Sequence, residues 1–242
     1  MFTQYKTLAI FLGAENRGEA DRLFVVFTKK FGKLKILGRA IRKIKSKLRA
    51  GAQLFSLSYI EFIQGRTYKT LIEAIPIKNL SFLRKDPDKL RIASDIADVL
   101  CFFLRGEEPD QKIWNLILEV FLTLNKTQTV SFYFVIYHYF LWNFFSCLGY
   151  KICLEQCALC EKNLNLDFGN IYFDPEQGGV ICSSCARKLK SVSKINPKTV
   201  NFLNFLLQKK LVDFPDFKIT SQLKKEIEKI TQAYLQYLKR LY

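Results

Sequence analysis

Two cysteine pairs, Cys157-Ala-Leu-Cys160 and Cys182-Ser-Ser-Cys185, stand 21 residues apart in this chain. A C-x-x-C turn aims both sulfurs at one ion, and a second such turn completes a tetrahedral four-thiolate shell. Four thiolates leave no open coordination position, so the implied chemistry is structural Zn²⁺ rather than activation of water. Redox cycling or an iron–sulfur cluster is the alternative use of such cysteines, but neither pair sits in a thioredoxin-like strand–helix context. The run Asp174-Pro175-Glu176-Gln177-Gly178-Gly179 supplies a turn that brings the pairs together. Cys101, Cys147 and Cys153 are expected to pack as small apolar residues.

A second constellation is electrostatic. Between Asp21 and Glu61 there is no acidic residue and there are eleven basic ones. Phosphate backbones bind such surfaces through counterion release. The candidate nucleic-acid-binding residues are Lys33, Lys35, Arg39, Arg42, Lys43, Lys45, Lys47 and Arg49, with Tyr or Phe as stacking surfaces. The whole chain carries 38 Lys+Arg against 22 Asp+Glu, a formal charge of +16, which favours a polyanionic partner.

Catalytic chemistry has little to stand on. His138 is the only histidine, and it lies among aromatics, so a packed core histidine is the expectation. Neither a phosphate-binding G-x-x-x-x-G-K-[ST] nor a G-x-G-x-x-G stretch occurs. Glu107-Glu108 reads as a loop and helix start. Asp167, Asp174 and Glu176 could hold Mg²⁺ on paper, yet a solvated acidic loop explains them as well. The chain is expected not to be an enzyme.

The elements that must position these groups fall into two kinds. Five strand-length runs come first: Thr7–Leu12, Leu23–Phe27, Lys33–Leu37, Leu54–Phe62 and Lys69–Ala74, broken at Gly13, Gly18, Gly32 and Gly65. Five strands in about eighty residues suit a small closed barrel, which removes exposed sheet edges. Gly38 to Lys47 reads as a strand end running into a basic loop. Helical periodicity follows. One helix starts at Asp86-Pro87-Asp88, a second at Glu108-Pro109-Asp110, and an aromatic third spans about 130–148 and ends at Gly149. Asn196-Pro197 opens another, and Ser221 can cap a last one. The fold class is therefore α+β. Residues 1–80 are expected to form a small five-stranded barrel, 81–150 the first part of a helical domain, 151–190 a Cys₄ zinc module and 191–242 the rest of the helical domain. At 49% hydrophobic, 242 residues suffice for such cores.

No charged residue lies between Lys126 and Lys151, a length that could span a bilayer. His138, Asn143 and scattered tyrosines make it a poor lipid-facing helix, and a central core helix is expected. The odd number of cysteines and the lack of a visible N-terminal signal segment argue for a reducing cytoplasm.

Three ordered stretches resemble the bacterial RecO recombination-mediator family. Gly18-Glu19-Ala20-Asp21-Arg22-Leu23, Phe27-Thr28 and Gly32-Lys33 resemble its opening strands. Gly38-Arg39-Ala40 through Ser46-Lys47-Leu48-Arg49, then Gln53-Leu54-Phe55, resembles its basic third strand and loop. Leu148-Gly149-Tyr150, the cysteine pairs and Gly178-Gly179-Val180 resemble its zinc-bearing branch. The chain departs in lacking the usual proline after Leu-Gly-Tyr and in an unusually aromatic preceding helix. The resemblance implies an N-terminal OB-fold, a helical domain and an inserted zinc module. It also implies a non-enzymatic role: binding single- and double-stranded DNA, annealing complementary strands, engaging the acidic tail of single-strand-binding protein, and acting with RecR to load RecA. No residue here matches the family's pocket for that tail. An RNA-binding or ribosome-associated OB protein with a zinc ribbon fits the composition too, and a nuclease using the acidic loop is a third reading.

Overall fold

The computed structural model describes residues 3–65, 67–164, 170–189, 192–214 and 219–242. The chain divides into two compact units, 1–128 and 129–242.

The first unit opens with five strands: β1 (Gln4–Arg17), β2 (Asp21–Thr28), β3 (Gly32–Gly38), β4 (Leu57–Ile63) and β5 (Lys69–Lys78). They close a barrel in the order β1-β2-β3-β5-β4. All neighbours are antiparallel except β3 and β5, which join in parallel at Ile36↔Lys69 and Leu37↔Thr70. This is the five-stranded OB-type barrel expected from the sequence.

Strand β1 is long enough to serve two neighbours. Its first half pairs with β4 and its second half with β2. Gly13 does not end the strand; a bulge between Phe11 and Gly13 lets it bend from one partner to the other. Conversely, β4 starts at Leu57, later than expected, because Phe55 adopts φ +58° and breaks the extended run. Alternation on β1 to β4 sends Ala9, Phe11, Phe24, Val26, Leu34, Ile36, Ile60 and Phe62 into the barrel.

Three helices complete this unit: α1 (Ser81–Lys85), α2 (Pro87–Phe103) and α3 (Gln111–Lys126). Asp86 caps α2 by accepting from the amides of Asp88 and Lys89, with Pro87 at the first turn. Asp110 caps α3 in the same way. Helix α3 packs on the barrel side, where Trp114 stacks on Phe27 at 6.2 Å and Phe121 meets Phe55 edge-on at 5.6 Å, and α2 is tied to β3 by Lys33 Nζ donating to the Cys101 carbonyl at 2.7 Å.

The second unit contains α4 (Val130–Cys147), a sheet of β6 (Ile171–Asp174) and β7 (Gly179–Cys182), then α5 (Ser183–Ala186), β8 (Ser193–Ile195), α6 (Pro197–Gln208) and α7 (Ser221–Leu241). The sheet order is β7-β6-β8. Helix α4 is apolar nearly all round and carries ten buried residues, as a central helix should. Its Trp142 stacks on Tyr234 of α7 at 5.4 Å, while Phe173 of β6 meets both rings edge-on. Among the described residues no helix is long and apolar enough to cross a membrane. Asn196 caps α6, whereas the cap of α7 is Thr220 rather than Ser221, its hydroxyl accepting from the Leu223 amide. His138 is 4% exposed and its Nδ1–H donates to the Phe134 carbonyl at 2.9 Å, a satisfied core histidine.

Candidate functional site

The four paired cysteines converge. The sulfurs of Cys157, Cys160, Cys182 and Cys185 all lie within 4.8 Å of one another. Cys160 and Cys182 stand 3.8 Å apart, which matches the roughly 3.8 Å edge of a sulfur tetrahedron built on ~2.3 Å metal–sulfur bonds.

Local backbone chemistry explains how the first pair is held. The segment 157–162 folds back on itself: Cys157 donates to the Lys162 carbonyl and Glu161 donates to the Cys157 carbonyl, both at 2.9 Å. That reversal puts Glu161 at φ +58°. The knuckle is then pinned to β7, where Ala158 donates to the Val180 carbonyl at 2.9 Å. Cys153 exchanges two bonds with Gly178 and Val180. Gly179 permits this approach, since a Cβ there would sit 2.5 Å from the Cys153 carbonyl oxygen.

The sulfurs are electrostatically unequal. Burial alone would raise the Cys157 thiol, but backbone N–H groups of Cys182, Cys160 and Leu159 aim at its sulfur and bring it down to about 6. Cys185 is pushed up to about 12, chiefly by its hydrogen bond with the Cys182 sulfur, and also by burial and the neighbouring thiols. Four mutually close thiolates repel, and a divalent cation at their centre removes that conflict. The donor set therefore fits a metal ion. Asp174 does not join it: 4% exposed, it accepts from the Glu176 amide at 2.9 Å and shapes the turn. Asp167 lies outside the described residues.

In the first unit, the basic run from Arg39 to Arg49 is a stapled loop rather than a loose one. The Ala40 amide donates to Asp21 Oδ1 at 2.7 Å, the Arg42 amide to the Ala20 carbonyl at 3.0 Å, and Arg42 Nη1 to the Gly18 carbonyl at 3.2 Å. Ile41 and Ala52 anchor its two ends in the barrel core. Arg39, Arg42, Lys43, Lys45, Lys47 and Arg49 are all left exposed.

Arg42 and Arg49 line one groove of about 470 Å³ together with Arg22 and Arg84. Among the described residues none of these four arginines is in an ion pair. Arg22 is aimed by Nε donation to Asn16 Oδ1 at 3.1 Å. Arg84 donates to the Leu54 carbonyl at 3.3 Å and to Asn79 Oδ1, and burial lowers its pKa. Phe24, Ile41 and Leu54 floor the groove. Phe24 is fully buried, so no aromatic face is offered there for stacking.

Lys33 and Lys35 do not belong to this groove. They leave the barrel on its outer side, where Lys33 Nζ donates to the Cys101 carbonyl at 2.7 Å and is partly desolvated, which lowers its pKa. Sequence reasoning passed over Arg84, which enters from a helix 35 positions beyond Arg49. It also left Arg22 outside the site, although Arg22 pairs with Gly38 at the root of the basic loop.

A closed barrel in this strand order, an arginine-lined groove beside it and a separate helical unit carrying four convergent cysteines define an OB-barrel protein with a metal-type module. Family models agree at both ends: recombination protein O N terminal matches residues 1–80 and recombination protein O C terminal matches residues 84–239. The chain belongs to the bacterial RecO family. It is 27% identical over 230 residues to the DNA repair protein RecO of Acetivibrio thermocellus, covering 95% of this chain and 90% of that protein. It is likewise 27% identical over 234 residues to the protein of that name from Caldanaerobacter subterraneus subsp. tengcongensis, covering 95% and 91%. The DNA repair protein RecO of Dehalococcoides mccartyi strain 195 is 26% identical over 234 residues, 97% of this chain and 90% of that one.

Proposed function

We propose that the chain is a non-enzymatic DNA-binding recombination mediator acting in DNA repair in the bacterial cytoplasm. The observation that carries this is the groove of four arginines with no ion-pair partner among the described residues. Guanidinium forks suit phosphate oxygens, and the lack of an aromatic face favours backbone contact over reading of bases. Arg39, Lys43, Lys45 and Lys47 extend the cationic surface beyond the groove. Family membership and the names of the relatives support DNA rather than RNA. On this reading the protein binds single and double strands, anneals complementary DNA, engages single-strand-binding protein and acts with RecR to load RecA.

Cys157, Cys160, Cys182 and Cys185 hold one Zn²⁺ in this proposal. The ion neutralises the thiolates and fixes the two knuckles, and no reaction step passes through it.

The test is annealing of complementary strands already coated with single-strand-binding protein, without nucleotide. Annealing supports mediation. The triple variant Arg42→Glu, Lys43→Glu, Lys45→Glu should lose DNA affinity and show a flatter salt dependence. Unchanged affinity and slope in a folded triple variant would show that this face does not grip DNA.

A further inference from the structure

We propose that Ile44, at the tip of the basic loop, is an apolar wedge that enters a base step of duplex DNA and unstacks it, while the lysines on either side hold phosphates. The inference rests on the reading of the chain as a DNA-binding protein and adds to it a contact that no cation makes.

Three consecutive turns build the loop. The Lys43 amide donates to the Ala40 carbonyl and the Ser46 amide to the Lys43 carbonyl, both at 3.1 Å, and the Arg49 amide donates to the Ser46 carbonyl at 3.4 Å. Ile41 and Ile44 therefore hold the same place, the first corner, in successive turns. Their environments are opposite. Ile41 is 4% exposed and belongs to the barrel core, and Leu48 packs against that core from the other side of the tip. Ile44 is 90% exposed, against 67% for Phe82, the next most exposed large apolar side chain among the described residues. The loop is thus anchored on both sides of an apolar tip that it does not cover. Ile44 does not line the arginine groove, to which Arg42 and Arg49 of the same loop contribute.

The surroundings of Ile44 select the occupant. Every charged residue from Arg22 to Arg49 is basic, and Lys43 and Lys45, which flank Ile44, are both exposed. The partner must be polyanionic and still offer an apolar interior within reach of one side chain. Duplex DNA meets both conditions, with phosphates along its surface and stacked bases between them. Isoleucine is among the side chains that pry base steps apart. Unstacked bases of a single strand are held by aromatic faces instead, and no aromatic residue occurs between Phe31 and Phe55. An anionic lipid surface shares the charge but is gripped by an extended apolar face, whereas Ile44 stands alone between two lysines. A wedge also needs a stiff base, since a loose loop would fold the side chain back. The three turns, the Ile41 anchor and the Ala40 amide bond to Asp21 supply it.

The test uses the full-length protein and a short duplex with one central TA step, a kind that unstacks easily, in which 2-aminopurine replaces the adenine. Emission rises when that base loses its neighbours. Saturating parent protein should raise it about twofold and kink the duplex by about 20–90°, read by dyes on its ends. Ile44→Ala should lose both signals yet keep the parent's salt slope, since a neutral side chain releases no counterion. Ile44→Leu, which keeps a wedge, should retain both. Arg42→Gln with Arg49→Gln should flatten the slope and leave the emission rise at saturation. With Ile44 this exposed, its replacement should not change the unfolding temperature. A full rise in folded Ile44→Ala, or no rise in a parent that binds the duplex with its full slope, would overturn the wedge and leave the DNA-binding reading standing. A parent that fails to bind the duplex would sink both. Cosedimentation with phosphatidylglycerol vesicles that Ile44→Ala abolishes, with the emission rise untouched, would make the tip a lipid anchor and refute the inference.

Discussion

Replacing Arg42 and Arg49 by glutamine removes two of the four guanidinium groups that line the groove and leaves its apolar floor in place. Each phosphate neutralised contributes about −0.7 to the slope of log affinity against log salt for single strands and about −0.9 for duplex. Four groove contacts correspond to a slope near −2.8 on single-stranded DNA, to which exposed lysines add. Because those lysines are untouched, the difference between parent and variant is the sharper quantity. The slope should become shallower by about 1.4 on single strands and about 1.8 on duplex. Between 50 and 200 mM salt the parent should therefore lose about sevenfold more single-strand affinity than the variant. Fluorescence anisotropy across that salt range reads the slope directly. Arg42 also donates to the Gly18 carbonyl at 3.2 Å, so a loss of about 1 kcal/mol in stability is expected and is checked by thermal unfolding. Equal slopes for a folded variant and its parent would refute the assignment of these arginines to phosphate.

Three further outcomes follow from the second unit. Cys157→Ser should abolish metal content and lower the unfolding temperature, and a chelator should do the same to the parent; elemental analysis with calorimetry checks both, and a chelated protein that melts unchanged would contradict a structural ion. Glu161, held at φ +58°, should be replaced by glycine with a gain of about 0.5–1 kcal/mol, seen as a higher denaturant midpoint; a loss would mean that its side chain matters more than its backbone. His138 is held neutral by burial, its pKa lowered to about 4 against 6.5 for the free side chain, although its bond to Phe134 opposes the shift. Below pH 6.5 the unfolded chain takes up a proton that the folded one refuses, so stability should fall by about 3 kcal/mol between pH 6.5 and 4 and then level off. His138→Phe should flatten that part of the pH–stability curve, and a profile unchanged by the substitution would exclude this residue as the cause.

Much of this was legible in the sequence because local signals and tertiary need agreed. The strands alternate, the helix starts at Asp86, Asp110 and Asn196 carry their own caps, and a paired C-x-x-C leaves few alternatives. The failures have physical causes. Gly13 looked like a stop because glycine weakens a strand, but a barrel strand that must change partner uses such a residue at a bulge. Phe55 gave no hint of φ +58°, since the contacts around it are long-range: its amide donates to the Phe11 carbonyl at 2.7 Å and its ring meets Phe121. The basic run supplied only Arg42 and Arg49 of the four groove arginines. Arg22, Arg42, Arg49 and Arg84 come from a strand, a loop, a 3₁₀ turn and a short helix. Lys33, adjacent in sequence to good candidates, is turned outward by strand parity and held by the Cys101 carbonyl.

Strand β6 links the metal chemistry to the helices through the same alternation. Phe173 faces Trp142 and Tyr234, while its neighbour Tyr172 packs with Cys157, Ile181 and Ala186 around the sulfurs. The strand is thus a plate with two cores. The helical side is large, aromatic and independent of any ion. The cysteine side is small: among the described residues its buried members are Cys157, Ile181 and Ala186, too little apolar area to hold a loop without a cross-link. Removing the ion should therefore release the knuckle at 157–164 first, while Phe173 keeps β6 against α4. Amide exchange in the chelated protein distinguishes this order from collapse of the whole unit. Fast exchange at Ala158 and Glu161, with protection retained at Phe173, is the signature of a staple on a sheet that already has its own support, whereas simultaneous exchange at all three would mean that the ion organises the helical core as well.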